Sequence, residues 1–115
     1  MCKANECEVG LLDVLDQEPT TENIKRAAVH IAEEYGLDES QLLYTIACES
    51  SFRHTGVYGD SGLAYGLAQF HKPTFDGYCN GDYYSAKDQL ECMAQMWSAG
   101  QQRHWSCWKR LIAYN

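Results

Sequence analysis

Apolar residues recur along this chain at helical spacing in four places. Ile24, Ala27, Ala28, Ile31 and Tyr35 form one stripe, which predicts a helix over 22–35 with Thr20 or Thr21 as its cap. Gly36 suits a left-handed stop, and Leu37 behind it can fold back on the helix. Asp38-Glu39-Ser40-Gln41 reads as a capping box, with Asp38 as cap and Gln41 reaching back, opening a helix that runs to about Ser50. A second box, Ser85 with Asp88, opens a helix whose Leu90, Met93, Ala94 and Trp97 share a face and which stops at Gly100. Trp105, Trp108, Leu111 and Ile112 mark a last helix.

Between the second and third helices the pattern changes. Gly56, Gly59, Gly62 and Gly66 punctuate the chain, and Gly59-Asp60-Ser61-Gly62 is a turn signal. Its flanks, Val57-Tyr58 and Leu63-Ala64-Tyr65, predict one short hairpin. Pro73 can open a short helix, and Cys79-Asn80-Gly81-Asp82 is a further turn. Residues 1–19 are acidic, with an apolar patch at Leu11, Leu12, Val14 and Leu15, and Pro19 ends them. The expected organisation is an N-terminal arm over 1–19 and one domain over 20–115. The fold class is mainly α, of the α+β kind, with a small hairpin beside the second helix.

With 115 residues there is room for one domain with a modest core. Six cysteines, Cys2, Cys7, Cys48, Cys79, Cys92 and Cys107, read as a disulfide framework made in an oxidising compartment. Fifteen pairings are open to six cysteines. A turn and the helix after it are easily stapled, so Cys79 with Cys92 is expected; Cys48 with Cys107 would tie the second helix to the C-terminal part, leaving Cys2 with Cys7. No Cys-x-x-Cys occurs, and His104 with Cys107 would need two distant partners, so no metal and no cofactor are expected.

A net charge of −7 argues against nucleic acid and against electrostatic capture by an anionic surface. No apolar run is long enough to span a membrane. The start, Met-Cys-Lys-Ala-Asn-Glu, does not read as a signal peptide. A secreted, periplasmic or cell-wall location then implies either a removed export signal or a phage protein with its own route. The chain is expected to work as a monomer.

Glu49 is the residue whose placement suggests chemistry. It stands seven after Leu42 and three after Ile46, on the same apolar face and in the last turn of its helix. Burial and the negative end of the helix dipole both disfavour the charged carboxylate, and a raised pKa is what a general acid needs near neutrality. The ordinary reading is a half-exposed glutamate at a helix end.

Cys48-Glu49-Ser50-Ser51-Phe52-Arg53, followed by Gly62-Leu63-Ala64-Tyr65-Gly66-Leu67-Ala68-Gln69-Phe70-His71-Lys72-Pro73-Thr74, resembles the soluble lytic transglycosylase family. That family shows a Glu-Ser at the end of a helix and then a Gly-Leu-x-Gln run with a Pro-x-Thr-like element, and the resemblance spans about residues 24–100. It implies a goose-type lysozyme fold and cleavage of peptidoglycan glycan strands between N-acetylmuramic acid and N-acetylglucosamine. It makes Glu49 the catalytic acid/base and Ser50 its support. It nominates Tyr65, Gly66, Leu67, Gln69 and Phe70 as lining the sugar groove. The family's later Ala-Tyr-Asn-Ala-Gly-like motif is absent; Ala113-Tyr114-Asn115 is only a fragment of it.

The implied reaction uses one carboxyl group and closes a 1,6-anhydro ring without water. A hydrolase would want a second carboxylate, about 5 Å away for retention or about 6.5–9.5 Å for inversion. Asp60 is the candidate, set against the common role of Asp in turns. Gln69 can donate and accept toward acetamido sugars, or satisfy the hairpin backbone. His54, His71 and His104 carry no assigned role, and Trp97, Trp105 and Trp108 read as core. Two other classes are a catalytically inactive glycan-binding module and a disulfide-rich effector sharing only the motifs.

Overall fold

Thr20 is the residue that caps the first helix: its Oγ1 accepts from the Asn23 amide at 3.1 Å. The computed structural model describes residues 10–113. In it α1 is Thr21–Tyr35 and α2 is Glu39–Ser50. Three two-residue strands follow: β1 Tyr58–Gly59, β2 Ala64–Tyr65 and β3 Phe70–His71. Then come α3 Lys72–Tyr78, α4 Ala86–Ser98 and α5 Ser106–Ala113, with short 3-10 turns at Asp60–Gly62 and Gln102–His104.

The α1 stripe is buried as its spacing requires, except that Tyr35 is only half-buried. The chain leaves α1 through Gly36 at φ 66°, and the Leu37 amide returns to the Ala32 carbonyl at 2.8 Å. α1 packs against α2 and α4, and α5 packs against α2. Ile24, Ile31, Leu42, Ile46, Leu90 and Met93 are fully buried between these helices. Each such side chain contributes about 1.5–3 kcal/mol relative to exposure. Cys48 is bonded to Cys107 and Cys79 to Cys92, with Cα separations of 6.0 and 5.6 Å. Both are the pairings expected for these four residues. Cys2 and Cys7 lie outside the described residues.

Several local expectations are corrected. Both capping boxes form only their first half. Asp38 accepts from the Gln41 amide, but the Gln41 side chain accepts from the Trp108 indole at 3.0 Å instead of reaching back. Ser85 accepts from the Asp88 amide, but the Asp88 carboxylate turns to the Asp82 amide at 2.8 Å. Gln41 is drawn off by a tertiary partner and Asp88 by the turn that precedes its helix. Trp105 precedes the last helix, and Ile112 on that helix is exposed.

The described part of the N-terminal segment, residues 10–19, packs on the rest of the chain. Residues 10–13 are helical, and Leu15 is fully buried in the common core. The Asp16 carboxylate accepts from Ser85 Oγ at 2.7 Å and from the Lys87 amide at 3.2 Å, in the first turn of α4. A carboxylate at a helix N-terminus complements its dipole.

The single hairpin is a three-stranded antiparallel sheet in the order β1-β2-β3. Tyr58 pairs with Tyr65, Gly59 with Ala64, Tyr65 with Phe70 and Ala64 with His71. Strands of two residues cannot stand alone in water. Side chains from elsewhere supply the missing bonds. His54 Nδ1 accepts from the Leu67 amide, and Tyr83 donates its hydroxyl to the Phe70 carbonyl at 2.6 Å. The Trp105 indole donates to the Ala68 carbonyl at 2.8 Å. Gln89, fully buried, accepts from the Ala68 amide and donates to the Tyr65 and Tyr83 carbonyls.

Candidate active site

Glu49 occupies the last turn of α2, which ends on Ser51 in the left-handed region at φ 56°. Leu42 and Ile46 on the same face are fully buried, and Glu49 stands half-buried at the rim. Burial pushes its carboxyl above the ordinary value; the Cys107 amide, donating to Oε2 at 3.3 Å, and the Arg110 guanidinium pull the other way without cancelling the rise. The first turn of α5 therefore faces the carboxylate that the end of α2 disfavours.

Glu49 opens onto a cleft of about 350 Å³. Asp60, Gln69 and His71 of the sheet region line it, together with His104, Trp105 and Ser106 from the turn into α5. His71 Nε2 lies 2.8 Å from Asp60 Oδ2, so the second carboxylate of the cleft is already partnered. Asp60 and Ser61 sit at φ 50° and 57°, a left-handed turn that carries the Asp60 side chain to the cleft. A slightly larger hollow of about 380 Å³ lies between Leu11 and α1, away from all of these groups. Its lining is mostly apolar with Lys25, Arg26, His30 and Glu33, which do not assemble an acid/base site.

The residues nominated from the Gly-Leu-x-Gln run divide. Gln69 does reach the cleft, at φ 52°. Its amide nitrogen is spent on the sheet region, donating to the Val57 and Gly66 carbonyls at 3.1 and 2.8 Å, and its amide oxygen packs against Gly59 so tightly that a Cβ there would overlap it. The backbone-satisfying role thus takes the donor. Tyr65, Gly66 and Leu67 are not among the cleft-lining residues, while Phe70 lines a small neighbouring hollow with Gln69, His71, His104 and Trp105. Tyr65 is buried among Tyr58, Tyr83, Tyr84 and His54, with ring centroids 4.8–5.8 Å apart. Leu67 is fully buried, and Phe70 is buried edge-on to Phe75 and Trp105. Gly66, at φ 85°, is a close approach: a Cβ would come within 2.7 Å of the Gln89 side chain and of His54 Cε1. Ser50 is buried too, and its hydroxyl donates to the Ile46 carbonyl at 3.1 Å, which ties the last turn of α2 and does not reach Glu49 through a hydrogen bond.

His54 is structural. Nε2 bonds the Tyr84 carbonyl at 2.8 Å while Nδ1 takes the Leu67 amide, which requires the neutral Nε2–H tautomer; burial holds its pKa below the ordinary value. His71, His104 and Ser106 are cleft residues to which no role was attached, and Trp105, read as core, is both buried and at the cleft wall. A signal for His71 was present: in a strand after Gln69, Phe70 and His71 must face opposite sides. Nothing local marks His104 or Ser106, which come from a segment brought in by the Cys48–Cys107 bond.

Among the described residues no three His, Cys, Asp or Glu side chains converge to hold a metal ion, and Cys107 is consumed by its disulfide. No described helix is long and apolar enough to cross a membrane. The cleft offers one carboxyl biased toward its protonated form, a second carboxyl hydrogen-bonded to His71, and amide, hydroxyl and aromatic groups. Such a set can protonate a bridging oxygen and hold a neutral polar ligand. No protein-family model matches the chain, and neither the curated proteins nor the solved structures contain a match to it.

Proposed function

We propose that this chain is a lysozyme-like lytic transglycosylase that cuts peptidoglycan glycan strands between N-acetylmuramic acid and N-acetylglucosamine. The observation that carries the reading is the half-buried Glu49 carboxyl, raised by desolvation, at the rim of an open cleft. The two motif blocks, Cys48–Arg53 and Gly62–Thr74, support it by resemblance.

In this reading Glu49 protonates the glycosidic oxygen as the bond breaks. The N-acetyl group of the substrate stabilises the positive charge at the sugar. Glu49, now ionised, takes the proton of that sugar's 6-hydroxyl, and the ring closes to the 1,6-anhydro product. The enzyme ends as it began, and no water is used. Two disulfides suit a protein that works outside the reducing cytosol, at the cell wall.

A second reading, hydrolysis, rests on Asp60 lining the same cleft. The His71 contact favours the single-carboxyl route, because an Asp60 oxygen already hydrogen-bonded to His71 is less free to take a proton from water. Mass spectrometry of products from purified peptidoglycan distinguishes them, with Glu49→Gln in parallel. Anhydro-muropeptides are expected, and Glu49→Gln should lower their rate by about 10²–10⁴. Reducing ends would replace this reading with the hydrolase; absence of product from the oxidised protein would refute both and leave a glycan-binding role.

A further inference from the structure

The Cys48–Cys107 bond flanks the Glu49 carboxyl on both sides. Cys48 is its neighbour in α2, and the other half-cystine, Cys107, is the residue whose amide donates to Glu49 Oε2. Arg110, one turn further along α5, places Nη2 3.3 Å from Cys48 Sγ and 3.2 Å from Cys107 Sγ, so the guanidinium is docked on the bridge itself. α5 has eight residues and only one of them, Cys107, is buried. Besides the bridge, α5 is held on α2 by Trp108, which packs against the core and donates its indole N–H to Gln41 at 3.0 Å; the bridge is the one covalent tie between α5 and α2, and it meets α5 at the turn that faces Glu49.

We propose that the Cys48–Cys107 disulfide is a positioning element of the Glu49 site, holding the Cys107 amide on the carboxylate and the Arg110 guanidinium beside the bridge next to it, so that the site is complete only in the oxidised protein. The idea deepens the reading of Glu49 as the acid/base and rests on it for its functional meaning. An external dithiol would open the bridge by supplying two electrons and two protons; Cys48 and Cys107 become thiols and the dithiol closes to its own disulfide. The first turn of α5 is then no longer tied to Cys48, and the carboxyl loses the fixed placement of the two groups that favour its charged form while keeping the burial that opposes it. The other charged groups facing Glu49 are Asp60 and His71 from the sheet region and His104 from the turn before α5. Asp60 and His71 pair with each other, and neither depends on the bridge. The second disulfide, Cys79–Cys92, staples α3 to α4 and touches none of this.

The test reads Glu49 by NMR titration of its side-chain carboxyl carbon, with no substrate present, so its outcome is independent of whether glycan is cut. In the oxidised wild type the Cys107 amide should shift with the same midpoint as Glu49 and lose that transition in Glu49→Gln. Removing the bridge with Cys48→Ser and Cys107→Ser should raise the Glu49 midpoint by about 0.5 or more, a roughly threefold change in ionisation constant. Removing the other bridge with Cys79→Ser and Cys92→Ser should leave the midpoint in place. Arg110→Gln, which keeps both disulfides, should also raise it and serves where the double serine variant does not fold. A Cys107 amide that ignores the Glu49 titration, or equal midpoints in wild type and Arg110→Gln, would overturn the proposal.

Discussion

Gln89→Leu tests whether the small sheet, and with it one wall of the cleft, is held by side chains from other elements. Gln89 is fully buried on α4. Its Oε1 accepts from the Ala68 amide at 3.1 Å, and its Nε2 donates to the Tyr65 and Tyr83 carbonyls at 2.9 Å each. Leucine has a similar volume and no polar atoms. The substitution leaves three buried backbone groups without this partner, at about 1–3 kcal/mol for each group that finds no other. Carbonyls can share other donors, so the low end applies to two of them, and leucine regains roughly 1–2 kcal/mol of apolar burial. The expected net loss is about 3 kcal/mol, a large part of the roughly 5–15 kcal/mol that holds a typical domain. Urea unfolding followed by circular dichroism measures it, with Gln95→Leu on the exposed face of the same helix as the control. The control should change stability by less than about 0.5 kcal/mol. Amide exchange at Ala68 should accelerate in Gln89→Leu well before global unfolding. A loss no greater than that of the control would refute the argument that this amide carries the sheet.

Gly66→Ala should be at least as damaging, costing about 3 kcal/mol or more, because a left-handed φ and an overlap with Gln89 and His54 act together; thermal melting reads it. Stability should fall with acidification below pH 6.5, the ordinary histidine value, because His54 has a lowered pKa when folded and the unfolded chain binds its proton first. That contribution is complete above pH 6.5 and is lost as pH falls toward the folded value, and His54→Gln should flatten that part of a pH series of melting temperatures. Reduction should lower the melting temperature by more than about 10 °C, each bridge contributing roughly 2–4 kcal/mol; an unchanged melting curve would contradict the staple role.

The helices were readable in the residue pattern because each depends mostly on neighbours in sequence. Thr20, Asp38 and Ser85 cap as expected, Gly36 turns left-handed as expected, and the apolar stripes of α1 and α4 are the buried ones. Position along α2 was enough to put Glu49 at the boundary between core and solvent. The Cys79–Cys92 and Cys48–Cys107 bonds agree with the expected pairings, although the sequence left fifteen open.

What surrounds Glu49 was decided only by tertiary structure. Asp60, Gln69, His71, His104 and Ser106 are separated from it by 11 to 57 positions and reach the same cleft through the sheet register and the α5 docking. The direction in which the Gly-Leu-x-Gln run faces was also left open by the sequence. Its composition announces close packing and polar contact, but not which side receives them. Gly66 and Leu67 turned toward Gln89 and His54, because buried backbone groups in two-residue strands must find hydrogen bonds wherever the fold offers them. Local propensity sets where a helix begins and ends; which polar groups share a cleft depends on how the elements satisfy one another's unpaired donors and acceptors.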